Sequence, residues 1–191
     1  IGYQIPPGIQ REIDPSQPQQ RQMNEQSLTL DVCNLQDGDA RAAYKNVQFD
    51  VRTYKKLKMY VHAEEITANS LRDQDVTLFV RLGTDFVDNY YEYELPLYLT
   101  AWGTNNADNV WPEVNNMEIL FQDLLDLKKR RNNLLGASGS GVAANVEYVI
   151  IDPQNPDRRI KVKVSPNLQG IKTIMIGVRN PKKNDPKPWQ D

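Results

Sequence analysis

Cysteine, histidine and long apolar runs are what this chain has least of. Cys33 is the one cysteine among 191 residues, so no disulfide can close within the chain. His62 is the one histidine, and with no second imidazole and no cysteine pair a transition-metal site has no ligand set. No Ser-His-Asp arrangement can be argued from spacing either. No apolar stretch approaches the ~20 residues that a helix needs to cross a bilayer. Neither sign of charge dominates: 23 Lys and Arg stand against 25 Asp and Glu, a formal net charge of −2. That balance gives no general attraction to nucleic acid or anionic lipid. The glycines of GASGSGVA lack the lysine and the strand-to-helix setting of a phosphate cradle, so they read as a linker. An enzyme is not expected.

Hydrophobic residues make up 39% of the chain and charged residues 25%, enough for one domain with a real core. Residues 1–26 hold seven Gln and four Pro with little periodic hydrophobicity. Pro6, Pro7, Pro15 and Pro18 each fix φ and remove an amide donor, which predicts an extended arm. Residues 180–191 are polar and proline-rich and predict a tail or linker. The two ends read together as those of a fragment of a larger protein. The body between them is expected over 27–179.

Within that body, apolar residues recur at every second position. Leu28, Leu30 and Val32 share one face, as do Leu57, Met59, Val61 and Ala63. The same holds for Val76, Leu78, Val80 and Leu82, and for Tyr91, Tyr93, Leu95, Leu97 and Leu99. Val146, Tyr148 and Ile150, then Ile160, Val162 and Val164, then Ile174, Ile176 and Val178 complete the set. This period marks strands with one buried face and one wetter face. Asp152 to Asp157 reads as the turn of a hairpin. Pro96 lacks an N–H and predicts an edge or a bulge for its strand. Cys33, inside LTLDVCNL, reads as a packed strand thiol.

One segment changes period. Met117, Leu120, Phe121, Leu124 and Leu127 recur at helical spacing and predict a helix at about 116–133, capped by Asn115 or Asn116. Lys128, Lys129, Arg130 and Arg131 lie in its last turns, where cations suit the dipole, and read as a solvated helix end. The fold these patterns predict is mainly β: an antiparallel β-sandwich of jelly-roll, galactose-binding-like type with one inserted helix.

The binding candidates come from YYEYELPLYLTAWGTNNADNVWPE, residues 90–113. Tyr90 and Tyr98 fall on one face, and Trp102 and Trp111 follow in a polar loop, so the four are the candidate contact or ligand surface. Tyr91 and Tyr93 lie with the leucines and read as core. Asp37 and Asp39 in LQDGDAR, with Asp73 and Asp75 in LRDQDVT, are the calcium candidates. Neither stretch continues into an EF-hand loop, and both suit ordinary turns, the reading preferred here. No cofactor is expected.

Several ordered blocks carry a family resemblance. IPPGIQREID, RQMNEQSLTL, LQDGDARAAYKNVQFDVRTYKKLKMYVHAE, VTLFVRLGTDFVDNYYEYELPL and VWPEVNNMEI resemble a segment of the SprA, or Sov, family of Bacteroidetes. The resemblance covers most of the chain. It implies a soluble insertion of a giant outer-membrane barrel, the translocon of type IX secretion that also serves gliding motility. It further implies a non-enzymatic role in structural support or protein contact. The implied partners are the parent barrel, secretion subunits or exported cargo, with the insertion expected to face the cell exterior as part of a cap over the barrel and a periplasmic placement as the alternative. A reading from another class is a carbohydrate-binding module of a surface glycan-handling protein, which would need an exposed aromatic row.

Overall fold

The structure, a computed structural model, describes residues 3–11, 13, 15, 16, 27–66 and 70–182. The rest of the expected arm and the tail 183–191 lie outside the described residues. The described strands are β1 (Ala40–Phe49), β2 (Lys56–Met59), β3 (Thr77–Gly83), β4 (Tyr90–Pro96), β5 (Met117–Leu120), β6 (Tyr148–Asp152), β7 (Asn155–Lys163) and β8 (Ile171–Arg179). A one-turn helix, α1 (Ala107–Val110), precedes β5, and α2 (Phe121–Leu134) follows it. Six strands form an antiparallel sheet in the order β1-β8-β3-β4-β7-β6, and β2 pairs with β5 in a separate ribbon. The protein is mainly β and antiparallel, as the alternation predicted.

The core lies between the large sheet and a layer made of the ribbon and α2. Leu78, Val80 and Leu82 of β3, Tyr91, Tyr93 and Leu95 of β4, and Ile160 and Val162 of β7 form the sheet side. Met117 and Ile119 of β5, with Phe121, Leu124 and Leu127 of α2, close over them. Register keeps the faces matched: Val80 stands opposite Tyr93, Tyr93 opposite Ile160, and Ile160 opposite Ile150. Burying each such side chain contributes ~1.5–3 kcal/mol, so this layer supplies most of the driving force for folding.

Four expectations need correction. The helix begins at Phe121, because Met117 and Ile119 alternate against β2 as a strand. Met117 and Phe121, four apart, fit both periods, and pairing with Leu57 and Met59 settles the strand. Asn115 caps nothing; it is buried, and the first amide of α2 donates instead to Lys55 O at 3.2 Å. Secondly, residues 27–35 form no strand despite their alternation, and Cys33 is exposed. Alternation needs a neighbouring strand to become a sheet, and among the described residues none pairs there. Thirdly, β4 is central, between β3 and β7. Pro96 is tolerated because β7 pairs only with Tyr90 to Glu94, so the proline lies past the ladder that would need its N–H. Fourthly, the basic helix end is only partly solvated. Arg131 is buried and donates to Ala144 O at 3.3 Å and to Val164 O, while Lys128 Nζ donates to Pro166 O at 2.9 Å. These two cations fasten α2 to the chain around β7.

A candidate contact surface built on the tyrosine strand

β4 alternates Tyr91, Tyr93 and Leu95 toward the core with Tyr90, Glu92 and Glu94 away from it. The far side is not a wet face. Glu92 is 0% exposed and Glu94 5%. Strand register explains why: Arg81 of β3, Glu92 of β4 and Lys161 of β7 stand side by side across three strands. Arg81 Nε donates to Glu92 Oε2 at 2.9 Å and Lys161 Nζ to Glu92 Oε1 at 2.8 Å. Arg179 of β8 adds bonds to Oε1 at 3.0 Å and Oε2 at 3.2 Å. Glu94 accepts from Thr77 Oγ1 at 2.8 Å. Its other oxygen lies 2.6 Å from Lys161 Nζ and 3.0 Å from Arg179 Nη1, in ion-pair contact without hydrogen-bond alignment.

Three cations therefore share two carboxylates, and the cations lie outermost: the side chains of Arg81 and Arg179 keep 16% and 18% exposure. Burial alone would raise the Glu92 pKa; Lys161, Arg179 and Arg81 outweigh it and hold the carboxyl at about 2. The Glu94 pKa is lowered in the same way, against burial, by Lys161 and Arg179. Such carboxylates stay ionised at neutral pH and have no proton to give, which suits a structural brace rather than acid–base chemistry.

Aromatic rings frame the network. The Arg81 guanidinium lies 3.7 Å from the Tyr90 ring centroid, and that of Arg179 lies 4.5 Å from the Phe79 centroid. Gly177 makes room for Phe79: a Cβ there would stand 2.6 Å from the ring and 2.5 Å from Ala42 Cβ. The loop between β3 and β4 folds back over this side. Asp85 Oδ1 accepts from the amides of Val87 (2.9 Å), Asp88 (2.6 Å) and Asn89 (3.1 Å), which holds its carboxyl at about 2 although burial opposes that. The turn presents Phe86 to Tyr44 of β1, with ring centroids 4.9 Å apart. Tyr44, Val149 and Ile151 stay exposed around the ionic centre. The surface is thus a cationic, ion-paired middle with an apolar rim.

The four candidate residues take separate places. Tyr90 is buried, under Arg81, and its hydroxyl donates to Glu147. Tyr98 accepts from Gln74 Nε2 through its hydroxyl, and its backbone N and O both bond the Asn115 side chain, at 2.9 and 2.7 Å. Trp102 is 57% exposed in the turn after Thr100. Trp111 is half-buried and donates from Nε1 to Gln4 O at 2.9 Å. Its ring meets Tyr3, Tyr60 and His62 edge-on, at 6.2, 6.3 and 6.0 Å. Trp111 therefore clamps the start of the N-terminal arm onto the body, and its ring cluster includes none of the other three candidates.

The calcium candidates do turn chemistry. Asp73 Oδ1 accepts from Leu99 N and Asp75 Oδ2 from Arg72 N, both at 2.8 Å. Asp39 lies 3.7 Å from Arg41. Gln36 to Asp39 form a turn with Gly38 at φ 84°. Among the described residues no three Asp, Glu, His or Cys side chains converge as metal ligands.

Sequence reading missed Arg81, Glu92, Glu94, Lys161 and Arg179 as a unit. The available signal was charge at the off-core positions of apolar strands: Arg81 within β3, Glu92 and Glu94 within β4, Lys161 within β7 and Arg179 at the end of β8. Alternation placed each one off the core face; only the strand order brings them together.

The protein is thus a two-layer β module with one braced, partly open sheet face. The chain belongs to the SprA_N family, described as motility related/secretion protein, whose model matches residues 1–190. A search of curated proteins found no match. The family description names motility and secretion and no reaction. Among the described residues no helix is long and apolar enough to cross a membrane.

Proposed function

We propose that this chain is a non-enzymatic module of a large outer-membrane secretion and gliding-motility protein, giving structural support and protein contact during type IX export. Membership of a motility and secretion family supports the setting. The observation that carries the contact role is the sheet face opposite α2. Its two carboxylates are paired with three cations, and Tyr44, Val149 and Ile151 remain at 57%, 42% and 53% exposure around them. The module stands in the envelope as a soluble part of its parent, outside or in the periplasm, and its partners are the parent barrel, other secretion subunits or cargo.

The test replaces Val149 and Ile151 with Asp in the parent protein in cells. Secreted cargo and colony spreading should both fall at an unchanged level of the protein. Wild-type export and spreading by such a variant would sink the contact role of this face. An epitope tag within 136–141, probed with protease on intact cells, decides which side of the membrane the module occupies. One observation favours a carbohydrate-binding role instead: Trp102 is exposed. Reproducible binding on a glycan array, lost in Trp102→Ala, would establish that reading in place of the first.

A further inference from the structure

The outer edge of β1 goes beyond the face just described. β1 is ten residues long and pairs only with β8, so among the described residues no strand bonds its outer side, where Arg41 Nη1 donates to Ala40 O at 2.8 Å. Gly38 donates to Asn180 O and Asn180 donates to Asp39 O, both at 2.9 Å, with Gly38 at φ 84°. This is a G1 bulge, and it sets the phase of the ladder. In an antiparallel pair the bonded positions alternate. Arg41, Ala43 and Lys45 therefore bond inward to Val178, Ile176 and Ile174. Ala42, Tyr44 and Asn46 turn their N–H and C=O groups outward.

The side chains of β1 specify what could bond there. Arg41 and Lys45 point to the α2 side of the sheet, past the edge of that layer, and both are exposed. Among the described residues Arg41 ion-pairs with the exposed Asp39 at 3.7 Å, which is worth little in water, beside the bond from its Nη1 to Ala40 O. Residues 40–49 include no carboxylate. On the other side lie Ala42 and Tyr44. A second copy pairing through the same edge would bring cations toward cations, which is unfavourable between directly apposed strands.

We propose that β1 is a strand-addition site for an extended acidic segment of a partner protein. The incoming strand bonds the outward amides and carbonyls of Ala42, Tyr44 and Asn46. It sets carboxylates four residues apart against Arg41 and Lys45, and β-branched or aromatic residues against Ala42 and Tyr44. Backbone bonds supply the affinity and the alternating side chains the selectivity, as in other strand-addition complexes.

The probe is a labelled peptide, Thr-Val-Glu-Val-Thr-Val-Glu-Val-Thr, tested against its Glu-to-Lys counterpart by fluorescence anisotropy with the whole chain. The glutamate peptide should bind at least ~10-fold more tightly, because exchanging Glu for Lys turns two attractive cross-strand pairs into two repulsive ones. Hydrogen exchange at Ala42 and Tyr44 should be fast in the free chain and slowed by that peptide. Ala42→Pro removes an outward N–H and leaves the bonds to β8 in place, so it should abolish binding at an unchanged unfolding midpoint. Arg41→Glu with Lys45→Glu should reverse the preference between the two peptides. Equal binding of both peptides, no binding of the glutamate peptide, wild-type binding by Ala42→Pro, or slow exchange at these amides in the free chain would each overturn the proposal. So would pairing of two copies at concentrations where the peptide does not bind. Loss of export in the Val149 and Ile151 variant without peptide binding would keep the contact role and remove this edge from it.

Discussion

The two faces of the large sheet are covered to a similar degree by different means. Toward α2, Val80, Tyr93, Leu95, Ile160 and Val162 are each 2% exposed or less, and apolar and aromatic surface fills most of the gap, with the buried Asp152 accepting from Tyr93 and the buried Arg131 bonding backbone carbonyls. On the other side Glu92 is equally buried, and its cover is the cations that neutralise it. Dispersion and water exclusion are tolerant of small errors in geometry; a buried ion network is not, because each unmatched charge is expensive. The first face makes the sheet stable. The second ties β3, β4, β7 and β8 to one register, since sliding any strand by one residue would point its charged group into the core.

The comparison breaks most sharply at Glu92. Glu92→Ala leaves Arg81, Lys161 and Arg179 crowded without their shared anion, and should cost ~3–5 kcal/mol in urea unfolding. A loss under ~1 kcal/mol would mean that the network braces nothing. Leu95→Ala is the matching cut on the apolar face, with an expected loss of ~2–5 kcal/mol from lost burial and the cavity left behind. If the two faces act independently, the double variant should show the sum, because the side chains point to opposite sides of the sheet.

Acid separates the faces without mutation. The Glu92 carboxyl titrates at about 2 in the fold, below its ordinary value. A depressed carboxyl contributes stability that is complete above its unfolded pKa of ~4.3 and is lost as pH falls toward the folded value. Glu94 has the same sign. Unfolding midpoints should therefore drop between pH ~4.5 and ~2, and Glu92→Gln should flatten that drop. An equal acid loss in Glu92→Gln would assign the effect to other carboxylates. The smallest effect belongs to Lys163, paired with the exposed Asp88 at 2.8 Å. Lys163→Ala should change stability by less than ~1 kcal/mol, and less still in high salt.

Strand positions were legible wherever an alternating run also found a partner. β3, β4, β7 and β8 appear where Leu78 to Leu82, Tyr91 to Leu95, Ile160 to Val162 and Ile174 to Val178 placed them. The hairpin of β6 and β7 turns at Asp152, which bonds Gln154 N and Asn155 Nδ2 at 2.9 Å each. Residues 27–35 carry the same pattern and stay irregular, since periodicity is a property of one segment and pairing is a property of two. The candidate surface was less legible. Tyr90 was placed on the correct face of its strand, but its burial under Arg81 depends on a neighbour nine positions away in sequence and one strand away in space.

Composition and period alone determined that this chain folds as antiparallel β layers around one apolar core, because side chains alternate across a strand whatever its neighbours are. The order β1-β8-β3-β4-β7-β6 was decided only in three dimensions. With it came the burial of Glu92 and Glu94 and the open edge of β1. Those features depend on which strand lies beside which, and the free energy of a charge depends on how near its counter-charges stand, a distance that a linear sequence does not contain.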